Sequence, residues 1–335
     1  MLRLLGLLIA WCLFLFLPLW TGVVHAQSAS DDTIAIGKLR FKFATVDAAQ
    51  ATLAAPDEFM NRLSDFDIKS RMQTSAPASL AEYIAFVAQE VRDWKPSQIE
   101  RVSSVLNDLN PKLATLQLEQ PIDVLMIQTT GREESDAAYT RSGSIILTAR
   151  QIEMPKAGLG KLILHELFHV LSRRDPVLRD KLYAIIGFQK TTEILLPKEW
   201  MSRRISNPDA PVIEHVIRVQ ISEDQQQFVA PMLYSSSEYD PKLASSMFAY
   251  LQVGLMQVEN TGGNHYQAVL QDGQPVMHPT ILPDFRRQIG ANTQYIIHPE
   301  EVLADNFLHW ILGTEDLPDP WIPQQMAAVF ADLVR

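Results

Sequence analysis

The stretch Lys161–Ser172, KLILHELFHVLS, places His165 and His169 four residues apart, with Glu166 directly after the first. On an α-helix such residues share a face, so two imidazoles can address one ion. Glu166 stands beside them, placed to take a proton from a metal-bound water rather than to bind the metal. The flanking LIL, LF and VL are uncharged and suit a helix buried beneath a cleft. The competing reading is an apolar core helix whose two histidines are satisfied internally. It has difficulty with Glu166, because three ionisable groups on one apolar turn are costly to bury without a partner.

A catalytic zinc needs a third protein ligand and one open position. A third histidine shortly downstream is missing: the positions where a turn glycine and that histidine would fall are Ser172 and Asp175. Asp175, before Pro176, reads as a helix end. The better candidate lies in YIIHPEEVLADNFLHW, Tyr295–Trp310, where Pro299 suits a first helical position. Glu301 and Asp305 then share a face. The glutamate can complete the site, and the aspartate can accept the free N–H of a ligand histidine. First-turn acids are also favoured by the helix macrodipole alone. Asp305, however, lies beyond that turn among Val302, Leu303, Ala304, Phe307 and Leu308, where a carboxylate needs a partner. Glu300 is the rival ligand, but its four-residue neighbour is Ala304.

Together, HELFH and the later EEVLAD resemble the gluzincin branch of the zincin metallopeptidases, which includes the thermolysin-like enzymes. The resemblance covers these two helices and the strand before the first. The spacing between them is longer than in thermolysin-like enzymes, and EEVLAD stands where those carry NExxSD. Carried over, it implies a zincin-like α+β fold and one zinc ion held by His165, His169 and Glu301. It further implies Glu166 as general base and acid, with Asp305 behind a ligand histidine. A donor to the developing oxyanion is still required, usually Tyr or His. Tyr295 and His298, just ahead of the ligand helix, are the candidates; a packed tyrosine and an N-capping histidine are the plainer readings of both. A peptide substrate could add as a strand along SGSIILT, if that segment is an exposed sheet edge.

The remaining sequence sets the frame. Its 335 residues, 47% hydrophobic, allow one large domain or two small ones. The formal charge of −10 is spread without basic blocks, which excludes a nucleic-acid footprint. The N-terminus MLRLLGLLIAWCLFLFLPLWTGVVHAQ predicts an export signal over residues 1–26, with periplasmic or secreted localisation. A membrane attachment is expected only if that signal stays uncleaved. The single cysteine, Cys12, lies inside it, so any metal site in the mature chain must use His and carboxylates.

Capping boxes at Ser79/Glu82 and Ser97/Glu100 predict a mainly helical N-terminal portion over 27–118. PIDVLMIQTT and SGSIILTA read as strands, as do HVIRVQIS, QFVAPMLYS and FAYLQVGLMQVE further on; a catalytic domain is expected over 119–335. The resulting expectation is an α+β protein acting as an exported zinc-dependent endopeptidase on peptides or proteins. The alternatives are a zinc hydrolase of a non-peptide amide, a catalytically inert metal-binding scaffold, and an envelope interaction protein with an incidental motif.

Overall fold

The computed structural model describes residues 33–334, so the expected export signal and Cys12 lie outside the described residues. Thr33 onward forms one compact unit. Among the described residues no helix is long and apolar enough to cross a membrane. The class is α+β.

The first sheet contains β1 (Thr33–Ile36), β2 (Leu39–Phe43), β3 (Val91–Arg92), β4 (Ile122–Thr129), β5 (Tyr139–Arg141) and β6 (Ser144–Thr148). Its order is β1-β2-β4-β6-β5, with β3 pairing the end of β4. The central pairs β2–β4 and β4–β6 are parallel, whereas β5 returns antiparallel to β6. Strand β6 is wholly buried, as a strand covered on both faces must be.

Helices α1 (Val46–Ala54), α2 (Asp65–Met72), α3 (Leu80–Glu90) and α4 (Pro96–Leu113) come from the N-terminal third. After α5 (Ala149–Ile152) comes α6 (Lys156–Arg174), which carries the HELFH turn, and then α7 (Pro176–Ile185). A second sheet runs β11-β10-β9-β8-β7, from β7 (Phe188–Lys190), β8 (His215–Ser222), β9 (Gln225–Ser235), β10 (Leu251–Gly262) and β11 (His265–Ala268). Short α8 (Lys198–Met201) and α9 (Pro283–Ile289) precede α10 (Pro299–Leu312), and α11 (Trp321–Ala331) packs on α10. Helix α6 is buried almost all round: Leu159, Ile163, Leu164, Leu167 and Phe168 are fully inaccessible. A helix so enclosed lacks a polar stripe, which is why its sequence shows little amphipathicity.

Two expectations are corrected. The N-terminal portion is not a separate, mainly helical unit ending at 118. Its β2 pairs in register with β4, so both sides of that boundary share one sheet and one core. The alternation Leu39-Arg40-Phe41-Lys42-Phe43 carries the strand signal. Helix α4 starts two residues earlier than Ser97/Glu100 implies. Pro96 occupies its first turn, and the Gln98 side chain accepts from the Lys95 N–H.

Beneath β5 lies a buried carboxyl with a testable consequence. Glu133 is fully inaccessible; the Tyr139 hydroxyl donates to its Oε1 at 3.2 Å, and its Oε2 has no protein partner. Burial pushes this carboxyl up from 4.5 to about 7. A group with a raised native value contributes stability below its unfolded value, and that contribution is lost as pH rises towards the native value. Glu133→Gln should therefore leave the melting temperature nearly unchanged at pH 4.5 and raise it at pH 8, by an amount corresponding to roughly 3 kcal/mol at most. Thermal melts of both proteins across that range check it; a variant that melts no higher than wild type at pH 8 contradicts it.

Candidate metal centre

Helix α10 crosses α6 so that its first two turns face the HELFH turn. The His165 and His169 rings lie 4.8 Å apart, centroid to centroid. His165 Nδ1 is 2.9 Å from Asp305 Oδ1, and His169 Nδ1 is 3.0 Å from Glu300 Oε1. A carboxylate can only accept, so both Nδ1 atoms carry the proton when the rings are neutral. Each Nε2 then presents a lone pair, and both face one oxygen: Glu301 Oε2, at 3.0 Å from His165 and 3.5 Å from His169. His169 Nε2 is buried and has no hydrogen-bond donor.

Three acceptor atoms thus converge with no proton between them. A tetrahedral zinc with bonds near 2.0–2.1 Å separates its ligand atoms by about 3.3 Å, close to the spacing found here. The donor set therefore fits one zinc ion, and His165, His169 and Glu301 form a compact candidate ligand group.

The electrostatics agree. Burial alone would lower the His165 imidazole, but hydrogen bonds to Asp305 and Glu301 outweigh it and push it up to about 10. His169 is likewise driven well above its ordinary value against burial, by Asp209, Glu301 and Glu300. Burial would raise Glu301, yet the two imidazoles hold its carboxyl well below the usual range. These shifts express one demand, for positive charge at the point where the three atoms meet. Glu166 behaves oppositely: burial raises its carboxyl, and the imidazoles offset this only in part.

Each expected residue can now be placed. His165, His169, Glu301 and Asp305 come together as the sequence predicted. Glu166 sits on the same turn, and the Thr140 hydroxyl donates to its Oε2 at 2.9 Å. Glu300 is not a rival ligand; it holds His169 from behind, accepting also from the Tyr183 hydroxyl at 2.5 Å and from Ser172. Tyr295 stands at the rim, its ring 6.0 Å from that of His165 and 45% exposed. His298 caps α10: its Nδ1 accepts the Glu300 N–H at 3.1 Å, and its ring packs towards Tyr183. That engagement corrects the expectation that its side chain donates to an oxyanion at the metal.

The expected peptide edge also moves. Strand β6 lies inside the sheet, between β4 and β5, so the edge is β5. The Thr140 N–H on that edge is already taken by Asp209 Oδ1 at 2.7 Å.

Asp209 belongs to a strap, Ser206–Asp209, that sequence reading missed. Asn207 Nδ2 donates to Glu301 Oε1 at 2.6 Å, which turns Oε2 towards the imidazoles. The Asp209 carboxyl is buried beside Glu166 and His169, and burial holds it well above the ordinary range. The strap is anchored on α2, where the Ser206 N–H donates to Asp67 at 3.1 Å and its carbonyl accepts from Arg71 at 2.8 Å. Arg71, fully buried, also pairs with Asp67 at 2.5 Å and Glu134 at 2.6 Å. Only the proline of SNPDAP signals anything locally, and it signals a turn.

Compared with known proteins, the chain matches no family model, no curated protein and no solved structure.

The two carboxylates behind the imidazoles set a test. Glu301→Ala should abolish stoichiometric zinc uptake, whereas Glu300→Gln and Asp305→Asn should retain zinc but bind it about 10–100-fold more weakly. Competition against a chromophoric chelator measures all three; full affinity in Glu301→Ala would show that the ion binds elsewhere.

Proposed function

We propose that the protein is an exported zinc-dependent metallopeptidase of zincin type, hydrolysing peptide bonds. The observation that carries this reading is the convergence of His165 Nε2, His169 Nε2 and Glu301 Oε2 without a donor among them, one residue from a buried glutamate. Held by those three atoms, zinc would supply an acidified water and a polarising charge for a substrate carbonyl.

The remaining chemistry falls to the protein's own residues. Thr140 occupies Glu166 Oε2, so Oε1 is the oxygen left to take a proton. The raised affinity of Glu166 for that proton suits a group that must hold it and then deliver it to the leaving amine. Tyr295 keeps its hydroxyl proton, because the negative charge of Glu301, reinforced by burial, disfavours the phenolate. From the rim, that hydroxyl can donate to the carbonyl oxygen as charge develops on it. Asp305, Glu300 and Asn207 touch no substrate; they fix the rotation of the three ligand groups. Export rests on the apolar N-terminal segment with its short positive start.

Glu166→Gln separates catalysis from metal binding. In the zinc-loaded protein it should lower peptide hydrolysis by at least about 10²-fold while leaving zinc stoichiometry unchanged. Mass spectrometry of a broad peptide mixture, with zinc analysis of the same samples, reads both. A zinc-loaded wild type that cleaves no peptide would instead favour a non-peptide amide substrate or an inert metal scaffold.

A further inference from the structure

Beside the metal centre, the strap separates two hollows of different character. One, about 370 Å³, is bounded by Thr140, Arg141, His169 and Arg173. Its arginines are already paired, Arg141 with Asp57 and Arg173 with Glu58, both at 2.8–2.9 Å. The other hollow lies between the strap and the β9–β10 hairpin. It measures about 60 Å³, several times the space one buried water needs. Its wall is apolar: Ile205, Leu233, Met247, Phe248, Leu251 and Ile297. Asn207, Asp209 and Tyr295 close its catalytic side. Phe248, 47% exposed, and Tyr295 are large apolar surfaces left open to water at this one hollow. The floor belongs to the small apolar cluster of Phe66, Ile205, Tyr239, Met247 and Tyr250, so an occupant would extend an existing core.

The strap also decides what cannot bind. Peptide addition along β5 needs the Thr140 N–H, and Asp209 holds it. Displacing Asp209 would break the strap's bond to Arg173, whose Nη1 donates to the Asp209 carbonyl at 2.8 Å. It would also strain the Asn207 hold on Glu301.

We infer that the enzyme selects its substrate by one large apolar side chain, of leucine, methionine or phenylalanine type, seated between the strap and the β9–β10 hairpin, and not by backbone pairing along β5. The side chain belongs to a residue adjoining the scissile amide, because residues bordering the pocket also touch Glu301 and flank Glu166. Burying such a side chain in an apolar site is favourable in proportion to the area removed from water, whereas a charged one would lose its hydration without a partner.

This inference rests on the metallopeptidase reading, so the experiment separates the two. The probes are the N-acetyl hydroxamates of leucine, glycine and aspartate, titrated calorimetrically into zinc-loaded protein, with matched leucine and glycine peptides as substrates. The leucine hydroxamate should bind at least about tenfold more tightly than the glycine compound, and the aspartate compound no better than glycine. Leu251→Trp, which fills the pocket, should collapse the leucine-to-glycine ratio; Phe248→Ala, a change at an exposed position, should reduce it. Lengthening a leucine-containing tetrapeptide to eight residues should bring little gain in kcat/KM. Equal binding of the leucine and glycine compounds, or an unchanged ratio in both variants with zinc retained, overturns the inference. So does a large gain on lengthening, which would restore pairing along β5. Leucine-selective binding with no peptide cleaved upholds the pocket while removing the peptidase reading, and cleavage without selectivity does the reverse.

Discussion

Two hydrogen bonds set everything else in the centre: Asp305 to His165 Nδ1 and Glu300 to His169 Nδ1. By fixing which ring nitrogen carries the proton, they oblige both Nε2 lone pairs to meet the Glu301 carboxylate. Left alone, that meeting is repulsive, and in a site shielded from water the repulsion is weakly screened. A divalent cation relieves it directly. Protons could do so as well, which is the meaning of the elevated imidazoles, but two protons on two rings neutralise only part of the charge. Glu166, Asp209, Glu300, Glu301 and Asp305 all lie within this small region. Five carboxyl groups around two imidazoles describe an environment arranged for a cation.

Neighbouring glutamates on α10 show how position, rather than chemistry, assigns a role. Glu300 and Glu301 are separated by one residue's rotation about the helix, roughly 100°. That rotation sends Glu300 behind His169, into hydrogen bonds with Tyr183 and Ser172, and sends Glu301 to the front. Glu166, on the facing helix, has similar burial but only a hydroxyl close by, so its proton affinity rises where that of Glu301 falls. Such divergence between like groups separates a ligand, which must remain charged, from a base, which must accept and release a proton.

The parts of this arrangement that were legible in sequence are those carried by local periodicity. The four-residue spacings in HELFH and in Glu301–Asp305 survive into the structure because a helix converts them directly into shared faces. Strands β4, β6, β8 and β9 were visible for the same reason, as short apolar or alternating runs between turn residues. The role of Glu300 was lost because a helix spacing predicts partners on its own helix, and the partner is His169 on another. Asn207 and Asp209 were lost more completely. They stand in a loop without periodicity, and their function comes from where the chain on either side is anchored. The true sheet edge was hidden for a related reason: whether β6 is an edge depends on the antiparallel return of β5, only three residues long.

That anchoring changes how the N-terminal third should be regarded. A chain of bonds runs from Arg71 and Asp67 on α2 to Ser206, and the next residue, Asn207, grips Glu301. Arg71 is worth little as a source of net stability, since a buried ion pair roughly repays its own desolvation. Its worth is geometric: with Asp67 and Glu134 saturating it, the guanidinium has one arrangement, and the strap inherits that arrangement. A ligand carboxylate contributed near the end of the chain is therefore oriented by a helix near its beginning. The α2 segment then has a stake in the chemistry without touching it, and the N-terminal helices form one wall of the site, inseparable from the sheet and helices that follow.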